Sequence, residues 1–247
     1  SSSSAASDVY KRQAYYDIER NKKTITQTVK KILKAGTFPV VIGGDHSITG
    51  GILQGLGSNA LEMTKGKKIS FLHIDAHTDT YRGDGNQDYM RFNVATTFTR
   101  AAEEALIDVE SSIHVGARGP TNDSGVFNHT RDVGYGLIDS TELFNAGLRN
   151  TAKNIVESLK GRSVYLCFDM DFFDPSCAPG VCTPTWGGAT SREGLDFLQN
   201  LSGLNLVGAD INTVSPPHDI SGMTAFLAAT VGLEILSVIC HSKGLVQ

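Results

Sequence analysis

The chain has 247 residues, 40% of them hydrophobic and 19% charged, with a formal net charge of −4. That length suits a single α/β domain with a sizeable buried core, and the slightly acidic balance excludes a basic face for nucleic acid. Four cysteines without a CxxC pair, Cys167, Cys177, Cys182 and Cys240, argue against a disulfide scaffold and set a reducing, cytoplasmic compartment as the expectation.

Residues 1–13 are small and polar, with no apolar stretch for a signal peptide, and read as a disordered tail or a scar outside the fold. The domain is expected over 14–247. A helix at 16–34 comes first, followed by strands at 38–42 and 69–75, a helix at 97–105 and a strand at 112–116. The pattern continues with a helix at 141–159, a strand at 164–169, a helix at 192–201, a strand at 205–211 and a helix at 222–237. Thr190 and Glu193 form a capping box that opens the helix at 192. Nearly continuous apolar strands alternating with amphipathic helices predict a parallel sheet buried under helices. The most apolar stretch, 225–240, is interrupted by Thr230, Gly232 and Glu234, so it is expected to pack as a helix rather than span a membrane.

In open α/β sheets, ligands bind beyond the carboxyl ends of the strands. Three such ends carry acidic residues and histidines: Gly43-Gly44-Asp45-His46-Ser47, His73-Ile74-Asp75-Ala76-His77-Thr78-Asp79, and Asp169-Met170-Asp171-Phe172-Phe173-Asp174. Side chains at i, i+2 and i+4 of extended chain share a face, so Asp75, His77 and Asp79 are expected to converge, and Asp169 with Asp171. A lone aspartate usually serves a turn, which suffices for Asp45. Several carboxylates and histidines at period two on apolar strands are too costly to leave unpaired. With His46 they make a carboxylate-rich set with two imidazoles, suited to Mn²⁺ or a neighbouring ion such as Ni²⁺. Six donors exceed the needs of one open ion and suit two divalent ions roughly 3.5–4 Å apart sharing a hydroxide.

These blocks, GGDHS at 43–47, DAHTD at 75–79 and DMDFFDPSCAPGVCTPTWGG at 169–188, resemble the signature motifs of the ureohydrolases: arginase, agmatinase and their relatives. A fourth, GADINTVSPPHD at 208–219, is similar to the agmatinase-type segment after the next strand. The resemblance runs from about 38 to 240. It implies an arginase-like fold, a three-layer, doubly wound parallel sheet with helices on both faces. It also implies metal ligation by His46, Asp75, His77, Asp79, Asp169 and Asp171, a manganese pair, and assembly as trimers or hexamers.

The chemistry implied is hydrolysis of a guanidino C–N bond. Guanidinium resists neutral water, and an ion pair lowers the pKa of a shared water so that hydroxide exists near neutrality. Addition to the guanidinium carbon and collapse release urea and an amine. The resemblance gives Asp79 the task of orienting the hydroxide and relaying its proton. It places Thr183 in the pocket-lining segment, where similar enzymes support the substrate-binding carboxylate.

Three departures stand out. Agmatinases carry a proton-shuttling histidine in the loop before the helix, whereas the stretch from Asn93 to Phe98 puts Val94 there, beside Asn93. Relatives place a glutamate against the guanidinium where this chain has Thr213, a loss of about 1.5–3 kcal/mol of charge-assisted contact. In the family a longer segment precedes the GGDHS block, so the chain reads as N-terminally truncated. Formiminoglutamase-like relatives also lack the shuttle, so hydrolysis survives its loss. Trp186 is either an aromatic wall for a cation or a core or subunit contact, and Cys177 and Cys182 read as small packing residues. The expected function is an agmatinase-like hydrolase of a small guanidino compound, with no nucleic-acid or membrane partner. The alternatives are a guanidine or small-amidine hydrolase using nickel, and a non-catalytic metal-binding subunit.

Overall fold

The computed structural model describes residues 18–37, 39–64, 66–83 and 91–245, with 58–63 as backbone only. In chain order the elements are α1 (Ile18–Lys34), β1 (Val40–Ile42), α2 (Ser47–Met63), β2 (Ser70–Ile74), α3 (Thr97–Glu103), β3 (Ile113–Val115) and α4 (Val126–Val133). They continue with β4 (Gly136–Ile138), α5 (Ser140–Ala146), α6 (Leu148–Ser158), β5 (Ser163–Asp169), α7 (Ser191–Gln199), β6 (Asn205–Asn212) and α8 (Met223–Ser242). Among the described residues, all strand pairings in the sheet are parallel, and the order is β1-β6-β5-β2-β3-β4. From β2 the chain steps outward to β3 and β4, then returns to the opposite side of β2 for β5 and β6. This is the doubly wound arrangement.

Strand alternation divides the core into two layers. Leu72, Ile74, Val164, Leu166 and Phe168 face one way, against Leu143 of α5, Ile155 of α6, Phe197 of α7 and Ile235 of α8. Phe71, Tyr165 and Cys167 face the other way, against Val29 of α1, Leu53 of α2 and Phe98 of α3. The capping box of α7 forms as expected, with Thr190 accepting from Glu193 N–H.

Several elements differ from expectation. The stretch at 47–63 escapes helical pattern recognition because it holds Gly50, Gly51, Gly55 and Gly57, yet it forms α2. Tertiary packing is the reason: a Cβ at Gly55 would stand 2.7 Å from Val29 Cβ, so the missing side chain lets α1 and α2 touch closely. The helix expected over 141–159 is two, broken at Gly147, whose φ of 82° an L-residue rarely adopts. Helix α4 and strand β4 are too short to announce themselves by periodicity. Strand β1 is an edge strand with Ile42 87% exposed, not one buried on both faces; residue 38, in the expected strand, lies outside the described residues. Helix α8 runs for 20 residues and is long and apolar enough to cross a membrane by length and composition alone. Its Val231, Ile235, Val238 and Ile239 row nevertheless packs into the core.

Candidate metal centre

The switch between β2 and β5 brings two carboxyl ends side by side, the crevice where α/β sheets bind ligands. Ile74 is in register with Phe168, so the residues after them, Asp75 and Asp169, stand together. His46 arrives from the turn after β1, immediately before α2. The convergence does not come from strand periodicity, as expected from sequence. Strand β2 ends at Ile74, Asp79 has a φ of 48°, and Asp171 lies in a 3-10 turn, Met170–Phe172. Tight turns beyond the strands fold these side chains back onto one point.

The six candidates form two groups that share Asp75. Its Oδ2 lies 3.6 Å from His46 Nδ1, which is also 2.6 Å from Asp79 Oδ2 and 3.4 Å from Asp169 Oδ2. Its Oδ1 lies 3.2 Å from His77 Nδ1, which is 3.4 Å from Asp171 Oδ2. Donor atoms of His46, His73, Asp75 and Asp79, and separately those of Asp75, His77 and Asp171, lie within 4.8 Å of one another. Only His77 and Asp79 keep appreciable side-chain exposure, 21% and 11%, so the cluster opens to solvent on their side.

Electrostatics test whether this set fits cations. Burial opposes charging His46, but Asp169, Asp79 and Asp75 raise its imidazole well above the ordinary value. Burial likewise opposes charging His77, yet its hydrogen bonds with Asp171 and Asp75 carry it to about 12. Burial, with Asp75 nearby, pushes Asp171 up to about 7, and burial drives Asp169 well above the carboxylate range. Asp75 alone is held well below it: burial opposes this, and His73 and His77 override burial. Carboxylates this crowded hold protons to limit their repulsion. Divalent cations would replace those protons, and oxygen-rich donors with one imidazole per group match a pair of borderline ions sharing Asp75. His73 Nε2, 2.8 Å from Asp75 Oδ2, adds a buried polar atom in the same place.

Residues 3–237 match the Arginase family. The chain belongs to the arginase family. It is 32% identical to the human mitochondrial guanidino acid hydrolase over 90% of this chain and 60% of that one. It is 34% identical to a guanidinobutyrase of Pseudomonas aeruginosa over 88% of this chain and 65% of that one. The chain therefore spans less than two thirds of the length of these relatives. Among solved structures it superposes on a hypothetical agmatinase from Burkholderia thailandensis with a TM-score of 0.80 at 33% identity, covering 94% of this chain and 68% of that one. The proclavaminate amidino hydrolase of Streptomyces clavuligerus gives 0.79 at 32%, covering 90% and 70%.

In this arginase-family chain the residues outside the six donors fall in different places. Thr183 donates from Oγ1 to Asp171 Oδ2 at 3.3 Å, so it braces a donor of the cluster. Asn93 caps the 3-10 turn Val94–Thr96, accepting from Ala95 N–H, and Val94 opens that turn, 40% exposed. Asn93 also lines a cavity of about 890 Å³ between α1, β1 and α2, which none of the six donors lines. Thr213, with a φ of 73°, accepts from Met170 N–H at 2.9 Å and donates to the Asn212 carbonyl at 2.6 Å. Trp186 is 74% exposed, which rules out the core position, and Cys182 is exposed rather than packed.

Pattern reading passed over four residues in or beside the cluster. His73 and His114 face each other at 2.8 Å between Nδ1 atoms, deep in the aromatic layer with Phe71, Phe98 and Tyr135. Burial lowers both imidazoles below the ordinary value. Cys167 approaches His46 from behind. Arg118 Nη2 donates to the Asp171 carbonyl at 2.6 Å and the Thr185 carbonyl at 2.8 Å, pinning the loop that follows β5. The period-two placements of His73 before Asp75 and of Cys167 before Asp169 were the available signals; Arg118 gave none.

Proposed function

We propose that this chain is a two-ion hydrolase that cleaves the C–N bond of a guanidino compound to give urea and an amine. The observation that carries the proposal is Asp75, whose two carboxylate oxygens face two separate histidine–carboxylate groups. His46, Asp75, Asp79 and Asp169 would hold one divalent ion, and Asp75, His77 and Asp171 the other, manganese first and nickel as the alternative. When bound, such a pair supplies hydroxide near neutral pH and Lewis acidity toward the substrate.

The chain's own residues do the rest. Asp79 stands on the solvent side of the cluster, where its carboxylate orients the nucleophile and takes up its proton. His77 is the other solvent-facing side chain, so the substrate enters past His77 and Asp79. Thr183 keeps Asp171 aimed inward, and Arg118 holds the loop that carries Thr183 and Thr185 over the site. Relatives named for guanidinobutyrate, guanidino acids and agmatine support a substrate with a guanidino head on a short chain.

One observation favours a second substrate class, free guanidine or another small amidine. The Thr213 hydroxyl is committed to backbone on both sides, so no anion grips a long cationic substrate there. Assembly as a trimer or hexamer belongs to the same proposal and is supported by the exposed apolar row Met223, Phe226, Leu233 and Leu236 along α8.

The test is urea release from agmatine, arginine, guanidinobutyrate, guanidinopropionate, guanidine and formiminoglutamate, after reconstitution with Mn²⁺ or Ni²⁺. Turnover of at least one compound is expected. None with any compound, at full metal occupancy, would leave a metal-binding subunit instead.

A further inference from the structure

Away from solvent, the cluster is backed by buried polar groups that the proposed reaction does not use. His46 turns Nδ1 toward the carboxylates, and its other ring nitrogen, Nε2, lies 2.9 Å from Cys167 Sγ. Cys167 precedes Asp169 by two residues on β5 and shares its face; the thiol lies 3.8 Å from Asp169 Oδ1. Behind it on β6, Asp210 is fully buried and accepts from Thr49 Oγ1 at 2.7 Å, Tyr165 OH at 2.9 Å and Asn212 Nδ2 at 3.0 Å. The same Asn212 amide reaches Asp169 Oδ1 at 3.3 Å and Cys167 Sγ at 3.5 Å.

This network ends on His46 and Asp169. The side chains of His77 and Asp171 find different supports, Thr185 at 3.4 Å and Thr183 at 3.3 Å. The two halves of the cluster are thus braced from different elements: one from β5 and β6 in the buried core, the other from the exposed loop after β5.

A metal-bound imidazole is oriented by the partner of its second nitrogen, and such partners change metal affinity by about 10–100-fold. For His46 that partner is a thiol. With an ion bound, Sγ would accept the Nε2 hydrogen, leaving the Nδ1 lone pair for the ion on the side of Asp75, Asp79 and Asp169. Asp210 accepts one hydrogen of the Asn212 amide, which fixes the amide so that its other hydrogen points between Asp169 and Cys167. We propose that Cys167 and Asp210 are positioning residues for one ion of the pair only, the ion held by His46 and Asp79, so that the two ions bind with separable strengths. The proposal rests on the two-ion reading of the cluster.

The test uses the full chain stripped with chelator and titrated with Mn²⁺, followed by calorimetry and electron paramagnetic resonance, as wild type, Cys167→Ala, Cys167→Ser and Asp210→Asn. Wild type should bind two equivalents and show the spin-coupled signal of a pair. In Cys167→Ala and Asp210→Asn one equivalent should bind as before and the other about 10–100-fold more weakly. The coupled signal should then give way to that of isolated Mn²⁺. Cys167→Ser should restore both, because a hydroxyl accepts the same hydrogen bond. Thermal denaturation of the metal-free variants separates affinity from folding. Equal weakening of both ions, or undiminished binding in Cys167→Ala, overturns the proposal. Wild type binding no more than one equivalent overturns the two-ion reading itself and this inference with it.

Discussion

Arg118 is the residue whose removal the structure prices most directly. It is 8% exposed, and its guanidinium donates to five backbone carbonyls: Gly116, Asp171, Phe173, Thr185 and Trp186. Three of these are long, at 3.3 Å, and two are short, Asp171 at 2.6 Å and Thr185 at 2.8 Å. Counting only the short pair at about 1.5–3 kcal/mol each gives roughly 3–6 kcal/mol for charge-assisted bonds to buried carbonyls. The long contacts and the guanidinium's own desolvation largely offset each other. Arg118→Met should therefore lose about 3–5 kcal/mol of unfolding free energy, most of it from carbonyls left without donors. Arg118→Lys should lose about half of that, because one ammonium cannot span a fork reaching both sides of the loop. Denaturant unfolding at constant m-value measures both. Since Asp171 and Thr185 sit on the pinned loop, the ion held by His77 and Asp171 should weaken along with stability. A loss below about 1 kcal/mol in Arg118→Met, or an unchanged metal affinity, would show that the loop holds its shape without the guanidinium.

Four further outcomes are expected. Elemental analysis of protein saturated with Mn²⁺ should approach two ions per chain, and Asp75→Asn should lower that count, since both groups share its carboxylate. Asp79→Asn should abolish urea release while circular dichroism stays that of the wild type, and unchanged turnover would remove Asp79 from the mechanism. Folding raises Asp171 to about 7 and His77 to about 12. In metal-free protein the Asp171 contribution to stability is therefore full below the unfolded carboxylate range and declines as pH rises toward 7, and that of His77 declines above its unfolded value of 6.5. Metal displaces these protons, so Mn²⁺ affinity measured by calorimetry should climb with pH through about 7 with proton release, and a flat profile would contradict the proton-holding cluster. Thr213→Glu should tighten binding of long guanidino-amines by about 1.5–3 kcal/mol, one charge-assisted bond; efficient agmatine hydrolysis by the wild type would show that position 213 does not limit specificity.

Sequence alone determined the parallel α/β class, because most of its strands are nearly continuous apolar runs that need cover on both faces, the edge strand β1 excepted. It singled out the six acidic and histidine side chains that the structure brings together, because charges are costly to leave unpaired at the end of such strands. It also determined local features whose chemistry is short-range, such as the Thr190–Glu193 capping box. Helix α2 was decided by tertiary structure: its glycines lower helix propensity, and only close contact with Val29 of α1 makes them favourable. The same holds for how the donors divide. Spacing says that Asp75, His77 and Asp79 lie near one another, but the left-handed turn at Asp79 and the register of β2 on β5 set Asp75 between His46 and His77. Arg118 and Cys167 were passed over for a related reason. An arginine among glycines carries no pattern, a cysteine two residues before Asp169 does not name its partner, and their roles arise from backbone carbonyls and a histidine that the fold brings from 53 and 121 residues away. Local propensity acts over a few residues, whereas a histidine–carboxylate cluster assembled from three strand ends depends on contacts that exist only after the sheet has closed.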